Sequence, residues 1–185
     1  PSRPSTMSDY HFVTRWIVDA PCAEVYRTLE TAADLPRWWP SVYLDVQELQ
    51  PGQPGGVGKV IALYTKGWLP YTLRWQFVVT HTDFPNGFAL EATGDFVGCG
   101  VWAFSPLEEN RCEVCYDWKI RAEKPLLRLL TPLLRPLFAA NHRWAMRMGE
   151  QSLRLELRRR AAKTEAEREN IPAPPRPTWP HRGRA

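Results

Sequence analysis

The chain has 185 residues, 44% of them hydrophobic, with nine Trp, which is enough for one domain with a large aromatic core. No run reaches the roughly 18 to 20 apolar residues of a bilayer-spanning helix, and the N-terminus lacks a signal peptide's apolar core. The net charge of +4 collects on one helix face and in the tail, narrower than a nucleic-acid footprint needs, so no nucleic acid is expected.

Residues 1–9 read as an N-terminal extension. His11 to Asp19 alternates, with Phe12, Thr14, Trp16 and Val18 on one face, and predicts a first strand. At Asp19-Ala20-Pro21 the period changes. Pro21 suits a first helical turn, and Val25, Tyr26 and Leu29 form an apolar stripe through Thr31. A second short helix spans Asp34 to Trp39, stopped by Pro40.

Strands follow: Val42 to Leu49, Lys59 to Thr65, Tyr71 to His81, Phe88 to Phe96, Val97 to Phe104 and Arg111 to Arg121. In the third of these Leu73, Trp75, Phe77 and Val79 share a face. In the last, Cys112, Val114, Tyr116, Trp118 and Ile120 face inward. Cys112 and Cys115 have the two-residue spacing of a metal or redox pair, but on a strand they point to opposite faces. No second pair or nearby histidines complete a zinc site. Reduced structural cysteines are the plainer reading, and with them a cytoplasmic location is expected.

Pro125, Pro132 and Pro136 punctuate the approach to the last helix, which suggests a separate turn over Leu126 to Leu130 and a main helix from about Pro136 to Arg160. Leu134, Leu137, Asn141, Trp144, Met148 and Leu155 form its inner stripe by period. Arg143, Arg147, Arg154 and Arg158 hold the outer one. The Arg158-Arg159-Arg160 cluster suits a solvated helix end. Residues 163–185 are polar and proline-rich, and disorder is expected there.

One strand, two short helices, six strands and a long helix imply an α+β fold: a curved antiparallel sheet of about seven strands, one face of it covered by the C-terminal helix. That order resembles the START-like (SRPBCC) helix-grip superfamily, in particular its polyketide cyclase/dehydrase-like branch. Ala20-Pro21-Cys22-Ala23-Glu24-Val25-Tyr26 is similar to that family's first-helix start, and Leu35-Pro36-Arg37-Trp38-Trp39-Pro40 to its second helix. Gly98 to Pro106 resembles its penultimate strand, and Met148-Gly149-Glu150-Gln151-Ser152-Leu153 its closing helix. The likeness spans residues 10–162.

The resemblance implies a ligand cavity between sheet and helix. Periodicity nominates Trp75, Phe77, Trp102, Tyr116, Trp118, Asn141, Trp144 and Met148 as its lining, against the plainer alternative that the aromatics are ordinary core, and Tyr64 is a further candidate to aim its hydroxyl inward. Asn141 stands out because an amide on an inner stripe must find partners: a ligand, a strand side chain or water. The expected function is binding of a hydrophobic small molecule, lipid or polyketide-like. The alternative is a cyclase, aromatase or dehydratase, for which His142, Tyr116 and Asp95 are the candidate acid/base groups. No triad, phosphate loop or metal cluster appears, so neither cofactor nor metal is expected. Nothing in the sequence specifies an oligomeric state.

Overall fold

The computed structural model describes residues 10–179, apart from the side chains at 126–128 and 131–132. The expected extension over residues 1–9 lies outside the described residues. Strand β1 (Tyr10–Val18) leads into α1 (Cys22–Glu30), a 3-10 turn (Ala32–Asp34) and α2 (Leu35–Trp38). Six strands follow: β2 (Tyr43–Gln50), β3 (Val60–Lys66), β4 (Thr72–Asp83), β5 (Gly87–Gly94), β6 (Phe96–Glu108) and β7 (Arg111–Ala122). They form one antiparallel sheet in the order β1-β7-β6-β5-β4-β3-β2. Consecutive strands from β2 to β7 pair through hairpins. The α1–α2 excursion carries the chain from one sheet edge to the other. The sheet is curved, and the long helix α3 (Pro125–Ala161) lies across its inner face.

The expected faces are realised. On β7, Cys112, Val114, Tyr116, Trp118 and Ile120 are buried. Cys115 falls on the other face, where it is half-buried. Cys112 Sγ instead meets Cys22 Sγ, at the start of α1, at 2.8 Å, both thiols being free. Trp16, Trp38 and Trp39 are packed into the core, with Trp16 and Trp39 edge to face at 5.9 Å.

Two expectations about α3 need correction. The separate turn over Leu126 to Leu130 does not form, because the helix runs unbroken for 37 residues, about 55 Å at 1.5 Å each. Pro125 occupies the first turn, where its missing N–H costs nothing. Pro132 and Pro136 are four residues apart, so the backbone bonds they forgo lie on one side of the helix, which continues past both.

The inner stripe is also rotated from the one expected. Asn141, Met146, Gly149, Ser152, Leu153, Glu156 and Leu157 are buried, whereas Trp144, Met148 and Leu155 are only partly so. Hydrophobicity misplaced the stripe because small and polar residues hold its centre. The Trp39 ring lies so close to Gly149 that a Cβ there would sit 2.2 Å from a ring carbon. Glu156 accepts two hydrogen bonds from Arg37, at 2.7 and 2.9 Å, and one from Arg160 at 3.0 Å. Burial would raise the Glu156 carboxyl, but these guanidinium bonds outweigh it and hold its pKa below the ordinary value.

Beyond α3, part of the stretch expected to be disordered has defined structure. Helix α4 (Glu165–Glu169) opens on a capping box between Thr164 and Glu167. The chain then returns toward the sheet, where Trp179 Nε1 donates to the Trp68 carbonyl at 3.2 Å.

Candidate functional site

A cavity of about 130 Å³ lies between the inner sheet face and residues 138–146 of α3. Its walls are mostly aromatic. Strands β4, β6 and β7 contribute Trp75, Phe96, Tyr116 and Trp118; β1 contributes Tyr10 and Phe12; the helix contributes Phe138, Ala145 and Met146. Few polar groups reach it: Thr65, Lys66, Asn141, His142 and the tyrosines. Thr65 Oγ1 is engaged, accepting from Trp75 Nε1 at 3.0 Å.

Tyr116 is held in a stack, 4.0 Å from the Trp102 ring and 5.6 Å from the Trp118 ring. The stack fits because residue 100 is Gly: a Cβ there would lie 2.8 Å from Trp118 and 2.9 Å from the Tyr116 hydroxyl. Burial raises the Tyr116 hydroxyl well above its ordinary pKa, with Tyr43 and Cys99 adding to it. Burial likewise raises Tyr43. The Tyr71 hydroxyl is pushed up to about 12 by burial and by Tyr10, against an opposing hydrogen bond from Asn141. None of these phenols ionises near neutral pH.

His142 stacks on Phe12 with ring centroids 4.0 Å apart. Its Nε2 is buried without a hydrogen-bond partner among the described residues. Burial, then the neighbouring Arg143 charge, lowers its pKa from 6.5 to about 4, so the imidazole is neutral at pH 7. Lys66 is buried on the cavity wall, its ammonium pKa lowered by burial, and donates to the Trp179 carbonyl at 3.5 Å.

Asn141 closes the β3–β4 loop. Its Oδ1 accepts from the Leu69 backbone N–H at 3.1 Å, and its Nδ2 faces the Tyr71 hydroxyl at 3.5 Å. The loop packs tightly on this amide, since a Cβ on Gly67 would come within 2.1 Å of Oδ1. The protein itself therefore satisfies the amide oxygen.

Of the residues predicted to line a cavity, the structure gathers Trp75, Tyr116, Trp118 and Asn141. Tyr64 does not join them: alternation sends it to the outer sheet face, where the Arg74 guanidinium lies 4.1 Å from its ring centroid. Phe77 lies beside Tyr26 and Phe88, away from the cavity. Trp102 sits behind Tyr116 in the core. Trp144 and Met148 flank the helix instead of facing the cavity, because the inner stripe is rotated. Among the candidate acid/base groups, His142 and Tyr116 share the cavity and Asp95 does not. Asp95 Oδ2 accepts from the Arg74 N–H at 2.8 Å and lies 3.9 Å from Lys124 Nζ, tying strand ends together.

The family described as polyketide cyclase / dehydrase and lipid transport matches residues 10–157. The chain belongs to this family. No curated protein matches it significantly. Solved structures share the cyclase/dehydrase fold at low identity. The protein TTHA0849 from Thermus thermophilus is 19% identical with a TM-score of 0.64, the match covering 84% of this chain and all of that one. The Zhui aromatase/cyclase from Streptomyces sp. R1128 is 18% identical with a TM-score of 0.62, over 83% and 96%. A START superfamily protein from Mycobacterium smegmatis is 13% identical with a TM-score of 0.53, over 74% and 97%. Likeness at this level establishes the fold.

In this member of the cyclase/dehydrase family Tyr43, Lys66, Phe138, Ala145 and Met146 also line the cavity, although periodicity does not nominate them. Ala145 and Met146 follow from the rotated stripe, for which the only sequence signal was the row of small residues Gly149 and Ser152. A Lys at a strand end carries no sign of burial, so Lys66 was not legible. Among the described residues no cluster of three His, Cys, Asp or Glu forms a candidate metal site.

Proposed function

We propose that the chain binds a hydrophobic small molecule in the cavity under residues 138–146 of α3. The observation that carries this reading is the open, aromatic-walled volume of about 130 Å³ at the place where α3 crosses the sheet. Cavities of about 150 Å³ lined by apolar side chains stay dry and take up benzene. A single ring or a short alkyl chain therefore fits without rearrangement, whereas a longer lipid requires α3 or the β3–β4 loop to move. Orientation falls to His142, whose Nε2 has no protein partner among the described residues, and to the tyrosine hydroxyls.

Native mass spectrometry of the protein purified from its source tests the reading. The expected result is a co-purifying hydrophobic molecule that is missing from an Ala145→Phe variant, whose added ring fills the cavity. A folded protein that carries no small molecule and takes up no lipophilic probe would overturn it.

A cyclase or aromatase role is the second reading, favoured by His142 and Tyr116 sharing one cavity and by the named activity of the Streptomyces relative. General acid/base work at neutral pH favours groups with pKa values near 7. An imidazole near 4 and phenols raised above their usual range are poorly placed for it before a substrate arrives. Binding is the stronger reading for that reason. Unchanged turnover of a poly-β-ketone substrate in His142→Phe and Tyr116→Phe variants would remove these residues from a catalytic role.

A further inference from the structure

Helix α3 has a solvent-facing stripe that neither the core nor the cavity uses. At 3.6 residues per turn, Pro125, Leu129, Leu133, Pro136, Arg143 and Arg147 fall within about 80° of one another around the axis. All six are exposed. Leu129 and Leu133 are each 78% exposed, more than any other large apolar side chain among the described residues. The stripe is divided along its length, with apolar residues in the first turns and arginines in the later ones.

Among the described residues no acidic side chain pairs with the arginines of this stripe. From Lys124 to Gly149 the chain contains no Asp or Glu. Further along, Arg154 and Arg160 pair with Glu150 and Glu156 four residues before them. Among the described residues Arg143 and Arg147 have no such carboxylate. Folding thus leaves two leucines in water and, among the described residues, two arginines without a carboxylate partner on one helix face, an arrangement complementary to a surface both apolar and anionic.

We propose that this stripe seats the protein on an anionic lipid bilayer, with Leu129 and Leu133 entering the headgroup–acyl boundary and Arg143 and Arg147 meeting lipid phosphates. Interfacial helices bind in this way, through buried apolar area and electrostatic attraction together. A bilayer accepts protruding leucines without a matching groove, which a protein partner would have to supply. No helix of the described residues is long and apolar enough to cross a membrane, so the helix lies on the surface. Leu133 is five residues, about 7.5 Å along the axis, from the cavity-lining Phe138, so the seat adjoins the cavity. Docking itself does not depend on what the cavity holds.

Co-sedimentation of the full chain with vesicles of phosphatidylcholine, alone or mixed with phosphatidylserine, tests this. The chain is expected to sediment with the mixed vesicles, less with phosphatidylcholine alone, and less as salt rises. A Leu129→Ser/Leu133→Ser variant should lose about tenfold or more in partitioning through its lost apolar burial. An Arg143→Glu/Arg147→Glu variant should lose the preference for phosphatidylserine. Both pairs are exposed, so circular dichroism and the thermal midpoint should match those of the parent chain. Failure of the parent chain to sediment, or variants that sediment like it, would overturn the proposal. So would light scattering that shows a dimer which the serine variant dissociates, since a second copy would then occupy the stripe.

Discussion

His142 is the cavity-lining residue at which burial and charge meet. Its folded pKa of about 4 lies below the ordinary 6.5, so the folded state prefers the neutral ring. Its contribution to stability is complete above pH 6.5 and is lost as pH falls toward 4. The slope is about 1.4 kcal/mol per pH unit, with a total of up to about 3 kcal/mol. A His142→Phe variant, whose ring can keep the stack on Phe12, is expected to flatten the fall in thermal midpoint over that window. An unchanged fall would place the titration elsewhere. Asn141 makes the complementary case. Asn141→Ala leaves the Leu69 N–H buried without its acceptor, at a cost of about 1–3 kcal/mol. Amide hydrogen exchange should accelerate at Leu69 and its loop neighbours, while the amides of β6 and β7 stay protected.

At the scale of elements, the fit of α3 against α2 rests on Gly149. Replacing a mid-helix Gly with Ala normally adds about 1 kcal/mol of helix stability. Here the new methyl would run into the buried Trp39 ring, which has to shift toward the cavity it borders, and overpacking of that kind costs about 1–3 kcal/mol. Gly149→Ala is therefore expected to lower the thermal midpoint by a few degrees, and a rise would contradict this packing. Strands were legible in the sequence because alternation on β1, β4 and β7 records directly which face is buried. The helix was less legible for the same physical reason that makes Gly149 important. Its contact line is built from Gly149, Ser152 and the ion-paired Glu156, which hydrophobic periodicity assigns to the surface. The bulky Trp144 and Met148 beside that line drew the predicted stripe toward themselves. The prolines misled in another way, since Pro132 and Pro136 punctuate the sequence without ending the helix.

For the whole molecule, the order of elements was enough to anticipate the architecture, and the family that this order resembles implied a cavity beneath the last helix. Which side chains close that cavity depends on the angular setting of α3 and on the β3–β4 loop, and neither leaves a periodic trace. Tyr64 and Phe77 illustrate this: both are aromatic residues on strands, yet one faces outward and the other packs at a distance from the cavity. The space between Trp118 and Ala145 is expected to take up a hydrophobic ring. An NMR titration of the full chain with benzene, following the Ala145 methyl, the Met146 methyl and the Trp118 indole, tests it most directly. Saturable shifts at these three positions, absent in the Ala145→Phe variant, are the predicted result. No shifts in the parent chain, or the same shifts in the filled variant, would contradict it.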